Sequence, residues 1–164
     1  MNELVFKQFK VAKDYFIRNV ESISKEVASV QPDGFNNTIH WHVGHVLTFT
    51  EQLMFGFPEK TTYLPANYIE LFDNGTKPAD WKDEVPSLYE LIIQLKDQAI
   101  RLQQIPNDQL KKTLQKPFMG FETFEELAGL AVLHESNHLG HIQAMKRVVE
   151  CEKLINVDTD ENTF

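Results

Sequence analysis

The chain has 164 residues, 42% of them hydrophobic and 24% charged, which suits one ordinary globular domain with a buried core. Sixteen Lys and Arg against 24 Asp and Glu leave a net charge of −8, with no basic cluster denser than Lys111–Lys112, so a nucleic-acid partner is not expected. No apolar run approaches the ~18 residues of a membrane span, the opening MNELVFKQFK lacks the apolar core of a signal peptide, and the single Cys151 excludes an internal disulfide; the expectation is a cytoplasmic protein with no membrane partner.

Val5, Phe9, Ala12, Phe16, Val20, Ile23 and Val27 recur at spacings of three and four, predicting one amphipathic helix over roughly the first 28 residues. Turn chemistry at Gln31-Pro32-Asp33-Gly34 ends it. Thr38 is a suitable N-cap for a second helix running through Phe55, closed by Gly56 and Pro58. The stretch from Phe57 to Glu84 contains Pro58, Pro65 and Pro78 and is expected to be a long connection, with a short helix near Pro65–Phe72. A third helix starts at Ser87, which makes a capping box with Glu90; its stripe is Leu88, Leu91, Ile92, Leu95, Ala99 and Leu102. Ile105-Pro106-Asn107-Asp108 breaks it, and a loop containing Pro117 and Gly120 leads to a second capping box, Thr123 with Glu126. A fourth helix from Phe124 to about Cys151 follows. Four striped helices without a convincing strand signal predict an all-α fold, a four-helix bundle with a long crossover between helices two and three. The domain is expected to span residues 1–155, with residues 156–164 an acidic tail that frays.

Three histidines fall in one run, HESNHLGH, at His134, His138 and His141. Spacings of four and three put them at about 0°, 40° and −20° around a helix, on the face shared by Leu127, Ala131 and Met145. They are therefore expected to be interior. Interior imidazoles need partners for their ring nitrogens that Leu and Val do not offer, and protonating one disfavours protonating the next. A divalent cation resolves this, because neutral imidazole is a good ligand for Zn, Ni, Cu or Fe; a metal-free polar core is the alternative. A facing helix has to add a ligand, and helix two holds the remaining histidines, His40, His42 and His45. On its wheel Ile39, Val43, Val46, Leu47, Thr50 and Leu53 mark the buried face. His42 lies near one margin and His45 one step beyond, so the wheel alone prefers His42.

The phrase TIHWHVGHVLTFTEQL on helix two, with HESNHLGHIQAMKRV on helix four, resembles the DinB-like (YfiT-like) superfamily of metal-binding four-helix bundles. Its members show W-x-x-G-H on the second helix and H-x-x-x-H, a small residue and G-Q-I on the last. Carried across by position, the resemblance implies His45, His134 and His138 as the metal ligands. Where the family has glutamine after the glycine, this chain has His141, which is open to being a fourth ligand, a hydrogen-bond partner beside the ligands (the favoured reading), or a base. His42 is then a packed histidine and His40 a surface or cap residue. HESNH also fits the H-E-x-x-H of zinc proteases, but the extended pattern needs Gly at 141 and His at 144, where the chain has His141 and Ala144. Glu135 is read as a helix-face carboxylate, with orientation of a ligand or proton movement as its functional alternative.

Three imidazoles around one divalent ion leave a position open, as in catalytic zinc sites, and bring bound water to a pKa of about 7. Zn or Ni is the favoured ion, with Fe or Mn as alternatives. The resemblance implies metal-dependent hydrolysis, or transfer of a low-molecular-weight thiol of the bacillithiol type onto a small-molecule electrophile, in stress response or detoxification, and a homodimer. A non-enzymatic bundle, with a structural metal or acting as a metal-dependent binding module, is the competing reading. Phe35, Trp41, Phe49, Trp81, Phe118 and Phe121 are candidate walls of a pocket over the metal, each with core packing as its plainer role. The loop KPFMGF at 116–121 is a candidate substrate lid or dimer contact.

Overall fold

The computed structural model describes residues 2–161 apart from 58, 60 and 83, with the backbone alone described for 2, 3 and 154–161. The chain is mostly helical: α1 Asn2–Glu21, α2 Lys25–Ala28, α3 Ile39–Glu51, α4 Tyr68–Phe72, α5 Leu88–Gln103, α6 Asn107–Leu110 and α7 Phe124–Glu161, with a two-stranded hairpin, β1 Thr113–Phe118 and β2 Phe121–Thr123. None of the described helices is long and apolar enough to cross a membrane.

Both expected capping boxes form. Ser87 N–H donates to Glu90 Oε2 at 2.7 Å and Glu90 N–H to Ser87 Oγ at 3.2 Å. Thr123 N–H donates to Glu126 Oε2 at 2.8 Å and Glu126 N–H to Thr123 Oγ1 at 3.3 Å. Each satisfies amide groups that the first turn leaves unpaired.

Three elements differ from expectation. The first helix breaks after Glu21, because Ser22 Oγ donates to Asn19 O and Ser24 Oγ accepts from Val27 N–H to cap α2; serine side chains compete with the helical ladder in this way. Ile23 and Val27 stay buried across the break, so the apolar spacing hides it. The loop before Thr123 contains the hairpin. Its two-residue turn places Met119 at φ 53° and Gly120 at φ 86°, the paired positive angles of a type I′ turn. At its other end α7 runs on to Glu161, ten residues past the expected stop, because no Gly or Pro follows Gly140. Residues 156–161 thus extend a helix. Residues 162–164 of the expected tail, and Pro58 of the expected helix stop, lie outside the described residues.

The four long helices pack as a ring: α1 against α5 and α7, α3 against α5 and α7. The core divides into two apolar clusters, one containing Phe16, Leu47, Leu95 and Leu139, the other Phe9, Leu53, Leu102 and Ala131. Between these members each long helix places a buried polar residue that joins a common network: Lys13 on α1, Glu51 at the end of α3 after buried Thr48 and Thr50, Gln98 on α5, Glu135 on α7. These four polar residues form a layer across the interior. Lys13 Nζ lies 2.5 Å from Glu135 Oε2 and donates to Gln98 Oε1 at 3.2 Å. Gln98 Nε2 donates to Leu47 O at 3.0 Å and to Glu51 Oε2 at 2.8 Å. Arg101 closes the chain with two bonds to Glu51, of 2.9 and 2.7 Å. α1 and α7 cross this layer in one direction, α3 and α5 in the other, so the connection from α3 to α5 has to return along the length of the ring. Tyr63 and Tyr68 tie that connection to α5 through Asp97 and Gln94, at 2.8 and 2.9 Å.

Met119 is 75% exposed, so its side chain contributes little packing while its backbone sits where a non-glycine residue is strained. Met119→Asn, the residue a type I′ turn favours, is expected to raise stability by up to about 1 kcal/mol. A urea midpoint that falls instead would contradict this account of the turn.

Candidate metal centre

Thr38 starts α3 by accepting the Trp41 amide on its hydroxyl at 3.1 Å, and from there the helix is buried on almost every side. Next to it the α4 segment presses Phe72 so close to Gly44 that a Cβ there would lie 2.4 Å from the ring. This approach brings the Phe72 carbonyl to His45, whose Nδ1–H donates to it at 2.6 Å. Trp41 stacks on the His45 ring, 4.6 Å between centroids and 11° from parallel. Trp41, Gly44 and His45 are thus one device: the tryptophan covers the imidazole, the glycine admits Phe72, and the carbonyl sets the tautomer.

Opposite, α7 presents His134 and His138. His45 Nε2 lies 3.1 Å from His134 Nε2, which lies 3.1 Å from His138 Nε2. The ligand atoms of all three fall within 4.8 Å of one another, and this is the only such cluster among the described residues. Phe49 stacks on His134 at 3.9 Å. His138 turns its other nitrogen to His42, with 2.8 Å between the two Nδ1 atoms.

Proton accounting shows what the arrangement lacks. The Phe72 carbonyl only accepts, so the His45 proton sits on Nδ1 and Nε2 is a bare lone pair. With its proton on Nε2, His134 donates to one neighbour and has nothing for the other; with its proton on Nδ1, its Nε2 lone pair faces that of His45, and buried His134 Nδ1 has no partner in either tautomer. Protonating the rings is no remedy, because burial disfavours the charged form of each and neighbouring imidazoles add repulsion. His138 is pushed down to about 2 by burial and then by His134, His45, His42 and His141. His134 falls to about 3, through burial, His45, Lys13 and His42. His42 falls to about 4, through burial, His141 and His45. Burial also lowers His45, partly offset by the Phe72 carbonyl and Asp73. A tetrahedral ion with Zn–N bonds of about 2.0–2.1 Å would hold its nitrogens about 3.3 Å apart. Two of the three separations, at 3.1 Å each, are close to that value, and the third lies within 4.8 Å, so an ion would draw His45 and His138 together around His134.

The remaining histidines divide. His141, expected inside with its neighbours, is exposed; it stacks on His42 at 5.8 Å and stays outside the cluster of three. His40 is half-buried, not a surface residue: its Nε2–H donates to Pro86 O at 2.8 Å and its ring meets the edge of Trp81 at 5.5 Å, anchoring the end of the crossover. Glu135, read as a helix-face carboxylate, is instead buried against Lys13. Of the candidate pocket walls, Trp41 and Phe49 cover metal-centre histidines, whereas Phe118 and Phe121 pack in the other apolar cluster, Phe118 on Phe57 at 5.5 Å. Phe35 and Trp81 pack against the first cluster. The sequence reading missed Lys13, Gln98 and Glu51. Their signal was present: each falls four residues after, or three after, an apolar stripe position (Phe9, Leu95, Leu47).

Helices in a ring around a polar layer, with three imidazoles meeting above it, define a helical protein with a trihistidine centre able to hold a metal ion. Comparison with known families matches residues 8–142 to the DinB superfamily, and the chain belongs to that family. A search of curated proteins gives no match.

Two outcomes follow from this geometry. Gly44→Ala forces the Phe72 ring away and is expected to lower stability by about 1–3 kcal/mol in urea unfolding; an unchanged midpoint would show that the close approach is not needed. The lowered histidine pKa values mean that the unfolded chain binds more protons below its ordinary value of 6.5. Stability of the metal-free protein is therefore fully present above that value and declines as pH falls from 7 to 5. A urea midpoint that stays flat across this window would contradict neutral, buried imidazoles.

Proposed function

We propose that this chain is a four-helix bundle with a crossover between α3 and α5 that holds one divalent ion on His45, His134 and His138 and uses it on a small-molecule substrate. The observation that carries this reading is the meeting of three Nε2 atoms whose protons cannot be arranged to suit them. A divalent ion there supplies Lewis acidity that makes water or a small thiol nucleophilic at neutral pH.

The protein's own residues prepare the site. Phe72 O holds the His45 proton on Nδ1, leaving Nε2 facing inward. With His138 Nε2 committed to the ion, His138 Nδ1 carries its proton and donates to His42 Nδ1, so the His42 proton is on Nε2. Trp41 and Phe49 cover ligand rings and exclude water from them. A cavity of about 230 Å³ lies against His45, lined also by Thr48, Phe49, Gln52, Ile69, Phe72 and Asp73; of the three ligand histidines His45 alone lines it, so it is a candidate substrate pocket beside the ion. Its size suits a small substrate, below the ~300 Å³ at which drug-sized sites begin.

The nucleophile comes from outside the chain, since the single cysteine, Cys151, is exposed on α7 ten residues beyond His141. Metal-dependent hydrolysis and transfer of a low-molecular-weight thiol both meet this condition. The zinc-protease reading of HESNH does not fit as well, because the Glu135 carboxylate is occupied by Lys13.

Protein purified without an affinity tag or added metal is expected to carry about one equivalent of a divalent ion, and His45→Ala and His138→Ala to bind it at least about 100-fold more weakly. If both variants keep a full equivalent, the ligand set is wrong. Small thiols offered with electrophiles, beside ester and amide substrates, then separate transferase from hydrolase; turnover that survives chelation would contradict both.

A further inference from the structure

Glu135 stands inside the HESNH run yet turns away from the histidines, and its partner Lys13 is a lysine 1% exposed in the core of α1. A buried ion pair is a poor source of stability: desolvating two charges costs about as much as their attraction returns, and apolar replacements of similar volume are often neutral or stabilising. Neither oxygen of Glu135 has a well-directed hydrogen bond, Oε2 meeting Lys13 as an ion pair only, so the pair is not even fully satisfied. Its geometry offers another role. Successive residues of a helix point about 100° apart, so holding Glu135 against α1 turns His134 toward α3.

The geometry points to the buried Lys13–Glu135 pair as the device that sets the rotation of α7, and thereby brings His134 and His138 to His45. This inference rests on the metal reading above. An imidazole Nε2 lies about 6 Å from its helix axis, so a 20° rotation of α7 moves it by about 2 Å, whereas metal–ligand distances tolerate about 0.2 Å. The chain of bonds also reaches the other ligand helix. Lys13 donates to Gln98, which donates to the carbonyl of Leu47, two residues beyond His45. α7 and α3 are thus indexed to each other around the far side of the ring, through α1 and α5, as well as across the site. Lys13 and Glu135 are positioning residues: neither belongs to the three-histidine cluster.

The test compares metal-free stability with Zn(II) affinity, the latter by competition with a chromophoric chelator, and records the Co(II) ligand-field spectrum. In the double variant Lys13→Met with Glu135→Leu, the melting temperature of the metal-free protein is expected to stay level or rise. Zn(II) affinity is expected to fall at least tenfold, with an altered Co(II) spectrum. Gln98→Met, which cuts the link to α3 but leaves the pair, is expected to fold and to lose affinity by a smaller factor, about threefold. Wild-type affinity and spectrum in the double variant would overturn the positioning role, and so would a double variant that fails to fold, since the pair would then act through stability. Wild-type protein that binds no Zn(II), like a His138→Ala control, would overturn the metal reading itself and the pair's role with it.

Discussion

A helical core that buries a lysine, two glutamates and a glutamine at one level accepts a constraint that an all-apolar core would not. Apolar side chains slide past one another at modest cost, but a buried hydrogen-bonding group has to meet its partner or lose a large desolvation energy. Lys13, Glu51, Gln98 and Glu135 each come from a different long helix, so their bonds specify height and rotation for all four at once. Everything that gives the molecule chemistry lies within two turns of that layer. His134 precedes Glu135, and His45 stands six residues before Glu51.

On the α3 side the same economy recurs at smaller scale. Gly44 has no conformational peculiarity; it matters because Phe72 occupies the space of a side chain. The close approach brings a backbone carbonyl to an imidazole, and the carbonyl decides which nitrogen faces inward. Packing, hydrogen bonding and ligand chemistry are thus linked through three residues of one helix turn and one aromatic ring from the crossover. On the α7 side His42 serves His138 in the equivalent position, with a side chain in place of a carbonyl.

The parts legible in the sequence were those with strong local signals. Helix starts at Thr38, Ser87 and Thr123 announce themselves by side chains that bond the first turn, and the His134–His138 spacing is a property of any helix. The choice of His45 over His42 was not legible from the wheel, which ranks residues by burial alone. It depends on Phe72, a residue 27 positions away. The break at Ser22–Ser24 was masked because buried Ile23 and Val27 keep helical spacing across it. The hairpin was missed because its turn uses Met119 where Asn would have signalled it. The outcome for Glu135 required knowing that α1 would present a lysine to it across the ring, and nothing local encodes that meeting. The exposure of His141 is of the same kind: its offset from His138 places it on the right face, but only the helix packed opposite decides where that face ends.

If His45, His134 and His138 share one divalent ion, X-ray absorption at the edge of the metal retained by untagged protein reads that shell without intermediary. The expected spectrum shows three imidazole nitrogens at about 2.0–2.1 Å with one further light atom completing the shell. A shell of carboxylate and water oxygens, or one with a single imidazole, would contradict it.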